Sequence, residues 1–207
     1  TLDTGNFANG IYRLRLTASD MTGRVTTSEA LIEIASNVKP AQFVRRETDL
    51  SVTLDGVTLD LVREYDSLAV TNPGSFGPGW RLALRDLDLQ TDVPATGHEA
   101  SGAANPFSLG TRVYLTLPTG ERVGFTFTPQ KHELPGISYY TPAFTADAGI
   151  TWTLQAGDSK LSLAGNRFFD LGTGLAYNPA LVGGRLLANL DEAAIDTLMA
   201  DLRERAR

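Results

Sequence analysis

The sequence predicts a mainly β protein of antiparallel sheets, arranged as a sandwich or an open barrel-like shell, with a short C-terminal α-helix. Three observations predict it. Much of the chain alternates apolar and polar residues, the period of a half-buried strand. Those runs are punctuated by Gly, Pro, Asn and Asp roughly every ten residues, too closely for helical crossovers between parallel strands. Helical three- and four-residue spacing emerges only near the C-terminus.

Composition narrows the function classes. The 207 residues include 24 acidic and 18 basic side chains, a net charge of -6, so no global positive field draws the chain to nucleic acid or anionic lipid. Hydrophobic residues are 42% and charged residues 20%, the balance of a globular chain with a core rather than of a disordered one. Cysteine is absent, which removes disulfides, thiolate metal sites and cysteine nucleophiles. No apolar run approaches the ~20 residues of a membrane helix. The first residue is Thr1 and no signal-peptide pattern follows, so the sequence reads as a piece of a longer polypeptide.

The first element, within residues 1–37, is a hairpin. After Asn9-Gly10, Tyr12, Leu14, Leu16 and Ala18 share one strand face; Ser19 to Gly23 turn the chain, and Ala30, Ile32 and Ile34 return on a matching face. An isolated hairpin is marginal in water, so this one needs partners. Its Gly10-Ile11-Tyr12 and Ala18-Ser19-Asp20 phrases resemble the last two strands of an immunoglobulin- or fibronectin-like domain. Ser36 to Pro40 reads as a linker. Residues 38–185 then carry strands expected near 50–54, 57–65, 80–90, 111–117, 121–128, 150–155, 160–164 and 167–171, with a Gly/Ala-rich loop at 94–106. Residues 186–207 read as an amphipathic helix whose stripe is Leu190, Ala194, Ile195, Leu198 and Leu202. It has acids in its first turn and arginines at its end, and packs either in cis or on a partner.

The most distinctive stretch is 49–80. Asp55-Gly56 is a two-residue hairpin turn, because a type I′ turn needs positive φ at both positions. The strand after it places Val57, Leu59, Leu61, Arg63 and Tyr65 on one face. A guanidinium on an apolar face needs a carboxylate or carbonyls, and Asp66, Asp60 or Asp86 is the expected partner. Asp66-Ser67 follows, then Phe76-Gly77-Pro78-Gly79-Trp80, where glycines release the backbone and the indole seeks burial. These residues, with Thr116 to Phe127 downstream, resemble the module that precedes the repeat array in Rhs/YD-repeat proteins, across about 42–180. The resemblance implies part of a β-shell that encloses or delivers a toxin or effector, in a secreted or cell-surface protein. Asp55, Gly56, Arg63, Tyr65, Asp66, Ser67, Phe76, Gly77, Gly79 and Trp80 then serve architecture, and the partner is the remainder of the parent polypeptide or assembly. The Tyr-Asp repeats themselves do not recur in this chain.

No enzyme is expected. His98-Glu99 and His132-Glu133 are adjacent pairs, which strands send to opposite faces, and both lie in loop-like surroundings. There is no Gly-x-Ser-x-Gly elbow and no phosphate-binding Gly-rich loop. No cofactor is implied. Asp86 and Asp88, at strand spacing, are the nearest approach to a metal pair, without the remaining ligands of a calcium loop. The alternative function is carbohydrate binding or adhesion on exposed aromatics, with Tyr139, Tyr140 and Trp152 as the platform and a cell-surface glycan as partner.

Overall fold

The structure, a computed structural model, describes residues 3–36, 38–54, 57–71, 73–83, 86–179 and 186–188. Strands dominate, all paired antiparallel, and three one-turn 3₁₀ helices make up the described helical content. The Asp55-Gly56 turn and the expected helix stripe from Leu190 onward lie outside the described residues. Leu186–Ala188, the start of the segment read as helical, is a strand.

Strands β1 (Gly10–Ser19) and β2 (Val25–Ile34) form a hairpin in unbroken register from Gly10↔Ile34 to Ser19↔Val25. Asp20 organises its turn, accepting from Thr22 N at 2.8 Å and Arg24 N at 3.0 Å. Tyr12, Leu14, Leu16 and Ala18 oppose Ile32, Ala30, Ser28 and Thr26, as the alternation predicts. Only the base of the hairpin is covered: Ile11 and Ile34 are buried, whereas Leu14 and Leu16 are 53% and 69% exposed.

The base is sewn to the rest of the molecule by side chains that the sequence did not single out. Gln90 bridges both backbone groups of Ile11, and Arg122 donates to Asn9 O. Arg112 Nη2 donates to Glu33 Oε1 at 2.7 Å and to Asp147 Oδ2 at 2.7 Å, while the Tyr114 hydroxyl donates to the same Glu33 oxygen at 2.7 Å. Burial alone would raise the Glu33 carboxyl; the bonds from Tyr114 and Arg112 outweigh it and hold the group below its ordinary value. The same contact, with burial first, pushes the Tyr114 phenol up to about 12.

Acid should therefore loosen this hairpin. A carboxylate whose folded pKa is depressed contributes stability that is complete above the unfolded value and disappears as pH falls through the folded one. For Glu33 the loss begins near the ordinary 4.5 and continues below it. Hydrogen exchange of β1 and β2 should accelerate over that window, and Glu33→Gln should flatten the change except for what Asp20 adds at the turn, where the Thr22 hydroxyl lowers its carboxyl too. An undiminished pH dependence in Glu33→Gln would refute the assignment.

The second hairpin joins β3 (Val44–Leu54) and β4 (Val57–Asp66), with a register shift at Asp49 between Thr48 and Leu50. β3 begins at Val44, earlier than the expected 50, because Val44 to Asp49 are mostly exposed and carry no apolar alternation. The small ladder β5 (Pro73–Gly74) and β6 (Gly77–Pro78) leads to β7 (Trp80–Leu82), which pairs with β4. The strand expected across 80–90 stops at Leu82. There the Asp86 carboxylate accepts from Leu82 N at 2.9 Å, and Asp86 N donates to Leu82 O, folding the chain into a turn.

The remaining strands are β8 (Gln90–Thr91), β9 (Arg112–Thr116), β10 (Arg122–Phe127), β11 (Gln130–Leu134), β12 (Ile137–Thr141), β13 (Phe144–Ala146), β14 (Leu154–Ala156), β15 (Leu161–Ala164), β16 (Arg167–Asp170) and β17 (Leu186–Ala188). They form two four-stranded sheets, β13-β10-β9-β8 and β11-β12-β15-β16, and the pair β14-β17. Both large sheets contribute to one core of Phe107, Val113, Leu115, Leu117, Val123, Phe125, Phe127, Leu154, Leu161, Phe168 and Tyr177. Phe127 is its centre, with ring centroids 5.4 Å from Phe107, 5.3 Å from Phe144, 5.3 Å from Phe168 and 5.5 Å from Tyr177.

Candidate functional site

The signature stretch is built around β4, which sends successive side chains to opposite faces. On one face Arg63 is half-buried. Its partner is Asp49, not Asp66, Asp60 or Asp86: the shift at Asp49 delivers both carboxylate oxygens to the guanidinium, with Nη2 to Oδ1 at 2.7 Å. The guanidinium carbon also lies 5.5 Å from the Phe76 ring centroid and 5.4 Å from that of Trp80. Such a contact is worth about 0.5–1 kcal/mol at an exposed site. Tyr65 extends the row, its ring 5.4 Å from Trp80 and 6.3 Å from Phe43.

The expected acids have other work. Asp60 accepts from Ser51 Oγ at 2.6 Å. Asp66 caps the 3₁₀ turn Ser67–Ala69, taking Leu68 N at 2.8 Å on one oxygen and Gln42 Nε2 at 2.9 Å on the other. Ser67 Oγ accepts from Phe43 N at 2.8 Å. Gly77 pairs with Gly74 across β5 and β6. At Gly79, φ is +73° and a Cβ would meet the Tyr65 ring at 2.9 Å, so the close approach of that ring demands glycine.

The other face of β4 holds the feature the sequence concealed. Glu64 and Arg81, paired in register across β4 and β7, are 1% and 8% exposed. Arg81 gives Glu64 Oε1 two bonds, at 3.0 Å from Nε and 2.6 Å from Nη2, and directs others to the carbonyls of Ala83, Asp86 and Leu117. Glu64 Oε2 accepts no aligned hydrogen bond; Arg46 Nε stands 3.4 Å away as an ionic neighbour. Gly120, at φ +91°, closes over it, where a Cβ would lie 2.6 Å from Oε2. Between Arg63 and Tyr65, Glu64 reads as a surface residue; only the register with Arg81 exposes the pair.

A cleft of about 240 Å³ adjoins this region, lined in part by Asp66, Trp80, Arg81, Asp86 and Asp88. Its carboxylates are engaged by their own chain: Asp66 and Asp86 as above, and Asp88 by Arg122 Nη1 at 2.9 Å. Asp86 and Asp88 are not on a strand, and Asp88 has a φ of +44°. Among the described residues no group of three or more His, Asp or Glu is arranged to hold a metal ion, and no helix is long and apolar enough to cross a membrane.

The histidines are separated in kind. His98 precedes the 3₁₀ turn Glu99–Ser101 and is exposed. His132 is not in a loop: it lies on β11, stacked on Tyr139 at 4.9 Å and 15°, with Nε2 2.8 Å from Thr141 Oγ1. Of the aromatic platform, Tyr140 and Trp152 pack against the core, Tyr140 edge-on to Phe168 at 5.2 Å. Tyr139, on the opposite face of β12, is held between neighbours that include Lys160, 5.3 Å from its ring centre. Tyr139 therefore does not share a face with Tyr140. No family model matches the chain, and no curated protein or solved structure matches it.

Proposed function

We propose that the chain is a non-catalytic architectural module of a larger secreted or cell-surface protein of Rhs/YD-repeat type, contributing part of a β-shell that encloses or delivers a toxin or effector. The observation that carries this reading is the inward commitment of the signature. Arg63, Tyr65, Asp66, Ser67, Phe76, Gly79 and Trp80 engage one another, Asp49 and the local backbone; Asp66, Gly79 and Trp80 border the adjoining cleft, but the Asp66 carboxylate is taken up by Leu68 N and Gln42 and the Trp80 ring by Tyr65 and Arg63. Residues that lock three strands and a loop together in this way suit a wall.

The test is reconstitution. Fused ahead of a YD-repeat array with a reporter enzyme at the far end, the chain should slow digestion of the reporter by added protease, and the Arg63→Ala/Trp80→Ala double variant should restore digestion. A reporter cleaved equally fast with and without the chain refutes the reading. The glycan alternative has one outward ring left, Tyr139, and requires retention on a glycan array that Tyr139→Ala abolishes.

A further inference from the structure

The sheet β11-β12-β15-β16 keeps one face on the core, through Tyr140, Leu161 and Phe168, and turns the other outward. Alternation puts His132, Leu134, Ile137, Tyr139 and Arg167 on the outer face, and Lys160, just before β15, joins them over the Tyr139 ring. Leu134 and Ile137 are 56% and 51% exposed. The strands bring no carboxylate to this face: Glu133 points the other way beside Lys131, and Asp170, opposite Leu161, takes the N–H groups of Gly172 and Thr173. Asp158 stands in the turn ahead of Lys160. Among the described Lys and Arg side chains, Lys39, Lys160 and Arg167 make no salt bridge, and two of these three stand on this one face. Unmatched cations beside uncovered aliphatics call for an occupant that is both acidic and apolar.

We propose that residues 189–202 of this same chain, which lie outside the described residues, cover that face as the amphipathic helix their spacing predicts. They hold Asp191, Glu192, Asp196 and Asp201 and no Lys or Arg. At about 100° per residue, Asp191 falls between Leu198 and Leu202, and Asp201 between Leu190 and Ala194, so both acids lie inside the apolar stripe. A stripe that carries two carboxylates can be buried only where cations meet them. The spacings agree. A helix rising ~1.5 Å per residue sets Asp191 and Asp201 about 15 Å apart. Lys160 shares its strand line with Ala164, the register partner of Arg167, so the two cations stand about 14 Å apart at ~3.3 Å per residue and ~4.8 Å per strand. The chain also arrives at the right place: β17 pairs with β14, Leu186 opposite Ala156, and β14 leads directly into β15. The uncovered face of β1–β2, with Leu14 and Leu16, offers no cation, so the two stripe carboxylates would be buried there without partners.

The chain has no cysteine, so an introduced pair holds the only thiols. In the full chain, Ile137→Cys/Leu198→Cys treated with a short bismaleimide should become linked within one molecule. Leu16→Cys/Leu198→Cys, whose first position is also exposed, should link at least about tenfold less, because docking raises the effective concentration only at the first site. Lys160→Asp/Arg167→Asp alters exposed side chains and should keep the parent's circular dichroism. In the Ile137→Cys/Leu198→Cys background it should lower the yield at least about fivefold, since carboxylates then oppose carboxylates. Adding Asp191→Lys/Asp201→Lys should restore the link. Equal linking at positions 137 and 16 overturns the proposal, as does a product that joins two molecules. A charge reversal that leaves the yield unchanged, or that the complementary swap does not rescue, overturns it as well.

Discussion

Phe127→Ala should lower the unfolding free energy by about 3–5 kcal/mol, the range for a fully enclosed aromatic truncated to methyl. Phe127 is completely buried and meets four other aromatic rings at 5.3–5.5 Å. They come from β13, from β16 and from the 107 and 177 segments, whose backbones are hydrogen-bonded to each other. No single neighbour can collapse into the hole without leaving another partner, so the cavity persists and its cost adds to the lost transfer energy. At about 2–4 °C per kcal/mol for a chain of this size, the melting temperature should fall by about 10 °C. Phe43→Ala removes a ring that is 60% exposed and should cost about 1 kcal/mol or less. Denaturant unfolding compares them; similar losses at both positions would show that Phe127 is not the keystone of the two sheets.

Those sheets were legible where one side of a strand faces the core. The 112–116, 122–127, 161–164 and 167–170 runs alternate or are continuously apolar because Phe127 and its neighbours must be buried, and their boundaries follow. Strands β11 and β12 were not foreseen. Gln130 to Leu134 lies almost wholly in solvent, so no burial requirement writes a period into it, and His132 looked like a loop residue. The face of Arg63 and Tyr65 was readable from parity alone. Its carboxylate was not, because Asp49 reaches Arg63 through a register shift that no local pattern records. Glu64 with Arg81, Gln90 with Ile11 and Arg112 with Glu33 are long-range pairings, and their existence depends on which strands become neighbours.

The second large effect concerns Glu64 and Arg81. Arg81→Met should destabilise by about 3–5 kcal/mol, the cost of leaving a buried charge without its partner. The two sides of the pair are not equivalent. Without Arg81, Glu64 Oε1 loses both of its donors from that guanidinium, Oε2 retains only the unaligned Arg46 at 3.4 Å, and the carbonyls of Ala83, Asp86 and Leu117 each lose a donor. Without the Glu64 charge, Arg81 still has those three carbonyls. Glu64→Gln should therefore cost less than Arg81→Met, and the double variant Glu64→Leu/Arg81→Met should recover part of the loss, since an apolar pair leaves no charge to desolvate. Equilibrium unfolding of Arg81→Met, of Glu64→Leu alone and of the double variant completes the cycle. A double variant at least as unstable as the two single losses added together would mean that the ion pair contributes independent contacts, and that the junction of β4, β7 and the 117–120 turn is held by something other than this one buried charge and its partner.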